Sequence, residues 1–274
     1  METPFASLVS AAWLYRHLDD SDLIILNATL PKAGNSKTPD IFVQIPKARY
    51  FDIKNKFSDI QAEFPNTVPE AEQFTAEAQK LGINNTSTLV VYDEHGIYSS
   101  ARAWWLFHYF GHKKVAVLDG GLPAWIHNNY PVVPKKSDNP QRGNFTATVI
   151  PKYFRFFSDI LHLQENTAVK IVDARAKNRF EGEVQEPRAG LKSGHIPNSV
   201  NLPYQEILNN TKMKSLPEVK AVFKKVNPEN NPMVFSCGSG ITACILALGA
   251  TLSGYKELAV YDGSWTEYGT LTNN

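Results

Sequence analysis

The chain has 274 residues, 43% of them hydrophobic and 20% charged, enough for two domains of ordinary size, each with its own core. Lys and Arg number 28 against 27 Asp and Glu, a formal net charge of +1. No global field therefore recruits nucleic acid or an anionic membrane, and any anion selectivity must be local. No uninterrupted apolar run approaches membrane-spanning length, and residues 1–7 lack the basic segment and apolar core of a secretory leader, so a cytoplasmic location is expected. The two cysteines, Cys237 and Cys244, fall on one expected helix, about 10 Å apart along its axis, too far for a disulfide.

In chain order, a helical segment over 7–18 leads to a strand over 23–28, and the short segment Ile45-Pro46-Lys47-Ala48-Arg49-Tyr50-Phe51 follows. Leu89-Val90-Val91-Tyr92-Asp93 reads as a buried strand. Residues 98–110 read as a helix whose Trp104, Trp105, Phe107 and Phe110 lie at core spacing, and Val115-Ala116-Val117-Leu118 as a strand ahead of Asp119-Gly120. The polar, turn-rich stretch 134–143 reads as a linker. The pattern then returns: a strand over 169–174, Ile196-Pro197-Asn198-Ser199-Val200-Asn201-Leu202 echoing 45–51, the strand Met233-Val234-Phe235, a helix over 241–252, and Leu258-Ala259-Val260-Tyr261 ahead of Asp262-Gly263.

This repeat predicts an α/β fold of two tandem domains, each a mostly parallel sheet flanked by helices. The first covers 1–133, a linker covers 134–150, and the second covers 151–274. Asp93 then corresponds to Cys237, and in such sheets ligands sit beyond the carboxyl ends of the strands. Only the second half has a nucleophile there.

Cys237-Gly238-Ser239-Gly240-Ile241-Thr242-Ala243 places a thiol between a strand and a helix. Gly238 and Gly240 let that loop curl so that successive N–H groups face one centre, with the positive end of the helix behind it. A free thiol is only a few per cent ionised at neutral pH, and a helix dipole contributes about 0.3–1 kcal/mol. The rest of a thiolate's stabilisation must come from N–H bonds to sulfur. The plainer alternative, a buried inert cysteine, is disfavoured by the flanking Gly-Ser-Gly. Gly238-x-Gly240-x-x-Ala243 formally fits a dinucleotide fingerprint, but the 31 residues after Ala243 are expected to be too few for the rest of such a domain. A cysteine phosphatase loop needs Arg six positions after its Cys, where this chain has Ala243.

Asp173-Ala174-Arg175, Arg179-Phe180-Glu181-Gly182, Glu186-Pro187-Arg188, Gly194-His195-Ile196-Pro197, the Cys237 loop and Tyr261-Asp262-Gly263-Ser264-Trp265 form one set. With Tyr98-Ser99-Ser100-Ala101-Arg102 and Leu118-Asp119-Gly120-Gly121 from the first half, this set resembles the tandem-domain rhodanese-like sulfurtransferases over nearly the whole chain. Within that family, Gly-Ser-Gly after the cysteine resembles the members that use 3-mercaptopyruvate; thiosulfate users carry basic residues there. The resemblance implies a first domain without catalytic residues and a catalytic second domain. It also implies a ping-pong reaction with no metal and no organic cofactor. Cys237 takes sulfur from a small-molecule donor, releases pyruvate, and holds a persulfide among the N–H groups of Gly238, Gly240, Ile241 and Thr242. A thiol acceptor such as thioredoxin, or cyanide in an assay, then removes the outer sulfur.

Arg179 and Arg188 match the positions implied to grip the donor's carboxylate and ketone, a task that suits a planar guanidinium. Ser239 and Thr242 are candidates to donate hydrogen bonds to sulfur or to cap the helix, and Tyr98 and Arg102 are first-half candidates for lining the donor site. Activity on thiosulfate and a non-catalytic sulfur carrier of the same fold are the alternative expectations. One departure stands out. Members that use 3-mercaptopyruvate have an Asp and a His in the first domain, implied to work with the loop serine, whereas here Lys54 or Asn55 stands near the Asp and Asn66 at the His. That relay is expected to be absent. Asp59 and Glu63 read as surface carboxylates and His195 as a turn residue. His95, His108, His112 and His127 lack metal-ligand spacing.

Overall fold

A computed structural model describes residues 6–32, 41–136, 139–166 and 168–272. The leader reading for residues 1–5 and the linker reading for Ser137 and Asp138 fall outside the described residues. The chain divides into two compact units. Unit 1 is Met1–Asp59, Val68–Ile150 and Asn210–Lys212; unit 2 is Ile60–Thr67, Pro151–Asn209 and Met213–Asn274.

In unit 1, β1 (Leu8–Val9), β2 (Leu23–Asn27), β3 (Arg49–Tyr50), β4 (Thr88–Tyr92) and β5 (Val115–Leu118) line up in the order β1-β5-β4-β2-β3, every neighbouring pair parallel. In unit 2, β6 (Phe154–Arg155), β7 (Lys170–Asp173), β8 (Val200–Asn201), β9 (Met233–Ser236) and β10 (Leu258–Tyr261) take the order β8-β7-β9-β10-β6, again all parallel. Read from opposite ends, the two orders coincide, with β4 matching β9 and β5 matching β10. Every residue of β5, β9 and β10 is buried. Successive side chains point to opposite faces, so both faces of each sheet are covered, and this is why these strands read as unbroken apolar runs rather than alternating ones.

The helices are α1 (Ala11–Arg16), α2 (Ala71–Lys80), α3 (Ser100–Tyr109) and α4 (Gly121–His127) in unit 1. Unit 2 has α5 (Phe157–Leu163), α6 (Lys177–Phe180), α7 (Leu216–Val226), α8 (Ala243–Ser253) and α9 (Ser264–Leu271). Trp104, Trp105, Phe107 and Phe110 are buried, as their spacing requires. The helix expected over 7–18 is shorter: Leu8 and Val9 pair with Val117 and Leu118 as an edge strand, and Ser10 Oγ accepts the Trp13 N–H at 3.1 Å, starting the helix at Ala11. The helix after β4 likewise starts at Ser100, because the Asp93 carboxylate takes the N–H groups of Tyr98 and Ser100 at 2.8 and 2.9 Å. None of the described helices is long and apolar enough to cross a membrane.

Candidate active site

Cys237 is the first residue past β9, the middle strand of its sheet, and is 2% exposed. Its carbonyl accepts the Trp265 N–H at 3.0 Å, and the Gly238 carbonyl accepts the Thr266 N–H at 2.9 Å. First-turn amides of a helix have no intrahelical acceptor, so the start of α9 is satisfied by the loop that carries the thiol. The loop turns at Gly240, in the left-handed region at φ +74°, and runs into α8 through Thr242. The helix begins two residues later than 241, with Thr242 at its N-cap and no side-chain cap bond, so Thr242 does not cap through its hydroxyl.

The ring of donors expected around sulfur is arranged differently. The N–H groups of Cys237 and Gly240 both donate to Ser264 Oγ at 3.1 Å, and that hydroxyl donates to the Tyr261 carbonyl at 2.9 Å and lies 4.0 Å from Cys237 Sγ. The amides of Gly238, Ser239, Ile241 and Thr242 have no protein partner among the described residues. They are the donors available to an anion beside the sulfur.

Two guanidinium groups, those of Arg179 and Arg188, lie within reach of the charge at Cys237. Arg179, at the end of α6, gives Nε and Nη2 to Glu186 at 3.1 and 2.5 Å. A Cβ on Gly238 would stand 3.3 Å from Arg179 Nη2, so the bare glycine lets the guanidinium close on the loop. Burial works against the charge on Arg179, but the hydrogen bond and charge of Glu186, with the nearby sulfur, outweigh it and hold its pKa above the ordinary arginine range. Glu186 in turn accepts Arg175 Nη1 at 2.9 Å, and Arg175 grips Asp173 through Nε and Nη2 at 3.0 and 2.7 Å. The Arg188 guanidinium makes no hydrogen bond or ion pair among the described residues; the Arg188 carbonyl accepts the Leu191 N–H at 3.3 Å. Partial burial lowers its pKa, with Cys237 and Glu186 pulling the other way.

Ser239 is held from an unexpected place. Asn66 Nδ2 donates to Ser239 Oγ at 3.0 Å and to the Ser239 carbonyl at 3.3 Å, so the segment Ile60–Thr67 belongs to unit 2 although its sequence lies in the first half. The residue standing where the relay histidine was expected still reaches the serine, but an amide does not exchange a proton. Tyr98 is 8% exposed in unit 1, and Arg102 is wholly buried there and lines no surface. His195 donates from Nδ1 to the Phe180 carbonyl at 2.8 Å and stacks on the Phe180 ring, a turn residue.

Glu186 and Ser264 stand inside the sequence motifs, and their tasks emerge only from the fold. The signals were present: a carboxylate between two arginines, and a serine where the repeat has Gly121. Among the described residues no three His, Cys, Asp or Glu side chains gather as a metal ion would need.

The rhodanese-like domain model matches the chain twice, over residues 10–128 and 157–270. The 3-mercaptopyruvate sulfurtransferase of Mus musculus is 38% identical over 275 residues, covering 96% of this chain and 92% of that protein. The thiosulfate sulfurtransferase of Rattus norvegicus is 34% identical over 276 residues, covering 96% and 92%. Among solved structures, the crystal structure of SseA from Escherichia coli, described as a 3-mercaptopyruvate sulfotransferase, superposes with a TM-score of 0.85 at 32% identity, covering 95% of this chain and 99% of that one. With the thiol loop at the carboxyl end of the central strand and the same sheet built twice, the chain belongs to the rhodanese-like domain family.

Proposed function

We propose that this protein is a sulfurtransferase that moves sulfur from 3-mercaptopyruvate to a thiol acceptor through a persulfide on Cys237, releasing pyruvate. The observation that carries this reading is a thiol at the end of β9 on a loop whose Gly238, Ser239, Ile241 and Thr242 amides have no protein partner among the described residues, with the charge of the Arg188 guanidinium coupled to Cys237. The Cys237 thiolate attacks the donor sulfur, the donor carbon–sulfur bond breaks, and its electron pair leaves on the pyruvate enolate, which takes up a proton. Arg188 and the free edge of Arg179 hold the donor's carboxylate and ketone, bidentate partners for a guanidinium. The amides of Gly238, Ser239, Ile241 and Thr242 receive the negative charge on sulfur, and Gly240 supplies the turn. The Ser239 hydroxyl, fixed by Asn66, faces the developing charge. An acceptor thiolate then takes the outer sulfur, the sulfur–sulfur bond breaks, and Cys237 returns as thiolate. Each step balances without metal or organic cofactor.

The choice of donor rests on Gly238-Ser239-Gly240, which puts no cation directly after the cysteine, as a doubly charged inorganic donor would favour. Thiosulfate is the second reading, favoured by the 34% identity to a thiosulfate sulfurtransferase. The domain at 151–274 is the catalytic one and that at 1–133 is not, thioredoxin is the acceptor, and the cytosol, where thiols stay reduced, is the compartment. Mass spectrometry after mixing with each donor tests the reading. 3-Mercaptopyruvate should release pyruvate and add one sulfur atom to Cys237, and Cys237→Ser should abolish both while keeping the thermal unfolding midpoint. Transfer that survives Cys237→Ser would overturn it.

A further inference from the structure

The two units hold corresponding loops on the same scaffold. In unit 1 the Leu122 N–H donates to the Asp93 carbonyl at 3.0 Å; in unit 2 the Trp265 N–H donates to the Cys237 carbonyl at 3.0 Å. The residue before each donor is left-handed, Gly121 at φ +53° and Ser264 at φ +50°. Glycine adopts that conformation freely and serine does not. In unit 1 space also demands glycine. A Cβ at Gly121 would stand 2.3 Å from the Asp93 carbonyl and 2.4 Å from the Gly96 carbonyl, because that loop is folded down and closed by a bridge between Asp93 and Gly96.

In unit 2 the same room is occupied by the wholly buried Ser264 side chain. Its hydroxyl accepts from Cys237 and Gly240 and donates to Tyr261, which uses both lone pairs and the proton. A strained residue stands where glycine would relieve the backbone, and every valence of its side chain goes to the thiol loop and its neighbour.

We propose that Ser264 is a positioning residue, a wedge at the first position of α9 that fills the room beneath the Cys237 loop and takes up two of its amides, so that the remaining ones are left for the anion at sulfur. The folded-down loop at Gly121 is the form the thiol loop takes without it. This rests on Cys237 being the residue that carries sulfur.

The test compares the full chain with Ser264→Gly and Ser264→Ala by three readouts: thermal unfolding, the rate at which 3-mercaptopyruvate loads sulfur on Cys237, and the rate of Cys237 alkylation by iodoacetamide at fixed pH. Ser264→Gly removes the same acceptor as Ser264→Ala but relieves the left-handed backbone, so its unfolding midpoint should lie above that of Ser264→Ala while loading and alkylation each slow by about tenfold or more against the parent. Ser264→Ala keeps the Cβ but leaves two buried amides without an acceptor, so its midpoint should fall. Loading and alkylation in Ser264→Gly within about twofold of the parent, a span smaller than one lost hydrogen bond is worth, would overturn the proposal. So would a rate loss that merely follows a lost midpoint. Alkylation reads the thiol whatever the donor. A parent that is alkylated faster than Ser264→Gly yet loads no sulfur sinks the assigned reaction and leaves the wedge standing.

Discussion

Arg175 and Arg179 both end on the Glu186 carboxylate, whose side chain is 1% exposed. With Asp173, it balances the two cations in a site where a lone charge would be costly. Removing it by Glu186→Ala would leave Arg175, itself wholly buried, with Asp173 alone and release the Arg179 fork. A loss of about 3–5 kcal/mol in unfolding free energy is expected, read by urea titration at neutral pH. Arg188 is the opposite case: exposed and unpaired, it carries little of the fold. Arg188→Ala should leave stability within about 0.5 kcal/mol and raise the donor's KM by about tenfold to a hundredfold, the worth of a charge-assisted hydrogen bond. An unchanged KM in steady-state assays would take Arg188 out of the site. That both arginines matter was legible in their motifs; that one is clamped and the other open depends on Glu186 folding back between them.

At the scale of elements, the stretch read as linker is in good part a docked strap. Gly143, Phe145, Thr148 and Ile150 donate backbone N–H groups to the carbonyls of Gln79, Ile83, Phe110 and Tyr109 at 2.8–3.1 Å, and Asn144, Thr146 and Ala147 donate to side chains of Asn84, Asn85 and Thr75. Gly143 makes this possible, since a Cβ there would stand 2.0 Å from the Ile83 carbonyl oxygen, a backbone atom that has nowhere to move. Gly143→Ala should therefore cost about 2–3 kcal/mol, as overpacking does, measurable as a lowered midpoint with the spectrum of the folded chain retained. An unaltered midpoint would show that the strap is not anchored there. Polar and turn residues signal a loop because they satisfy backbone locally. The same composition reads alike when its partners are some 60 residues upstream, as they are for Asn144 and Thr146.

For the whole molecule, one sheet order is built twice and only one copy bears a nucleophile. At the matching position of unit 1, the Asp93 carboxylate takes N–H groups from His95, Tyr98 and Ser100 and the Ser100 hydroxyl, all at 2.7–2.9 Å. That loop is an anion cradle already filled by its own side chain. The division into units also does not follow the midpoint of the chain, because Ile60–Thr67 belongs to unit 2 and brings Asn66 to Ser239. Asn66→Ala should lower kcat/KM for 3-mercaptopyruvate by about three- to tenfold, the worth of one hydrogen bond, with little change in unfolding. Equal activity in parent and variant would show that Ser239 needs no clamp.

The sequence by itself determined the α/β class, the repeat, the family and the thiol at the strand's end. Each of these is written in local periodicity or in a motif of neighbouring residues, and local patterning survives without knowledge of long-range contacts. Tertiary structure alone decided that Asn66 holds Ser239, that Glu186 clamps Arg179 and spares Arg188, and that Ser264 takes up two amides of the thiol loop. Those are relations between side chains and backbone groups brought together across 27 residues in one case and 173 in another. Their geometry exists only once the sheets have formed and the chain has been drawn back on itself.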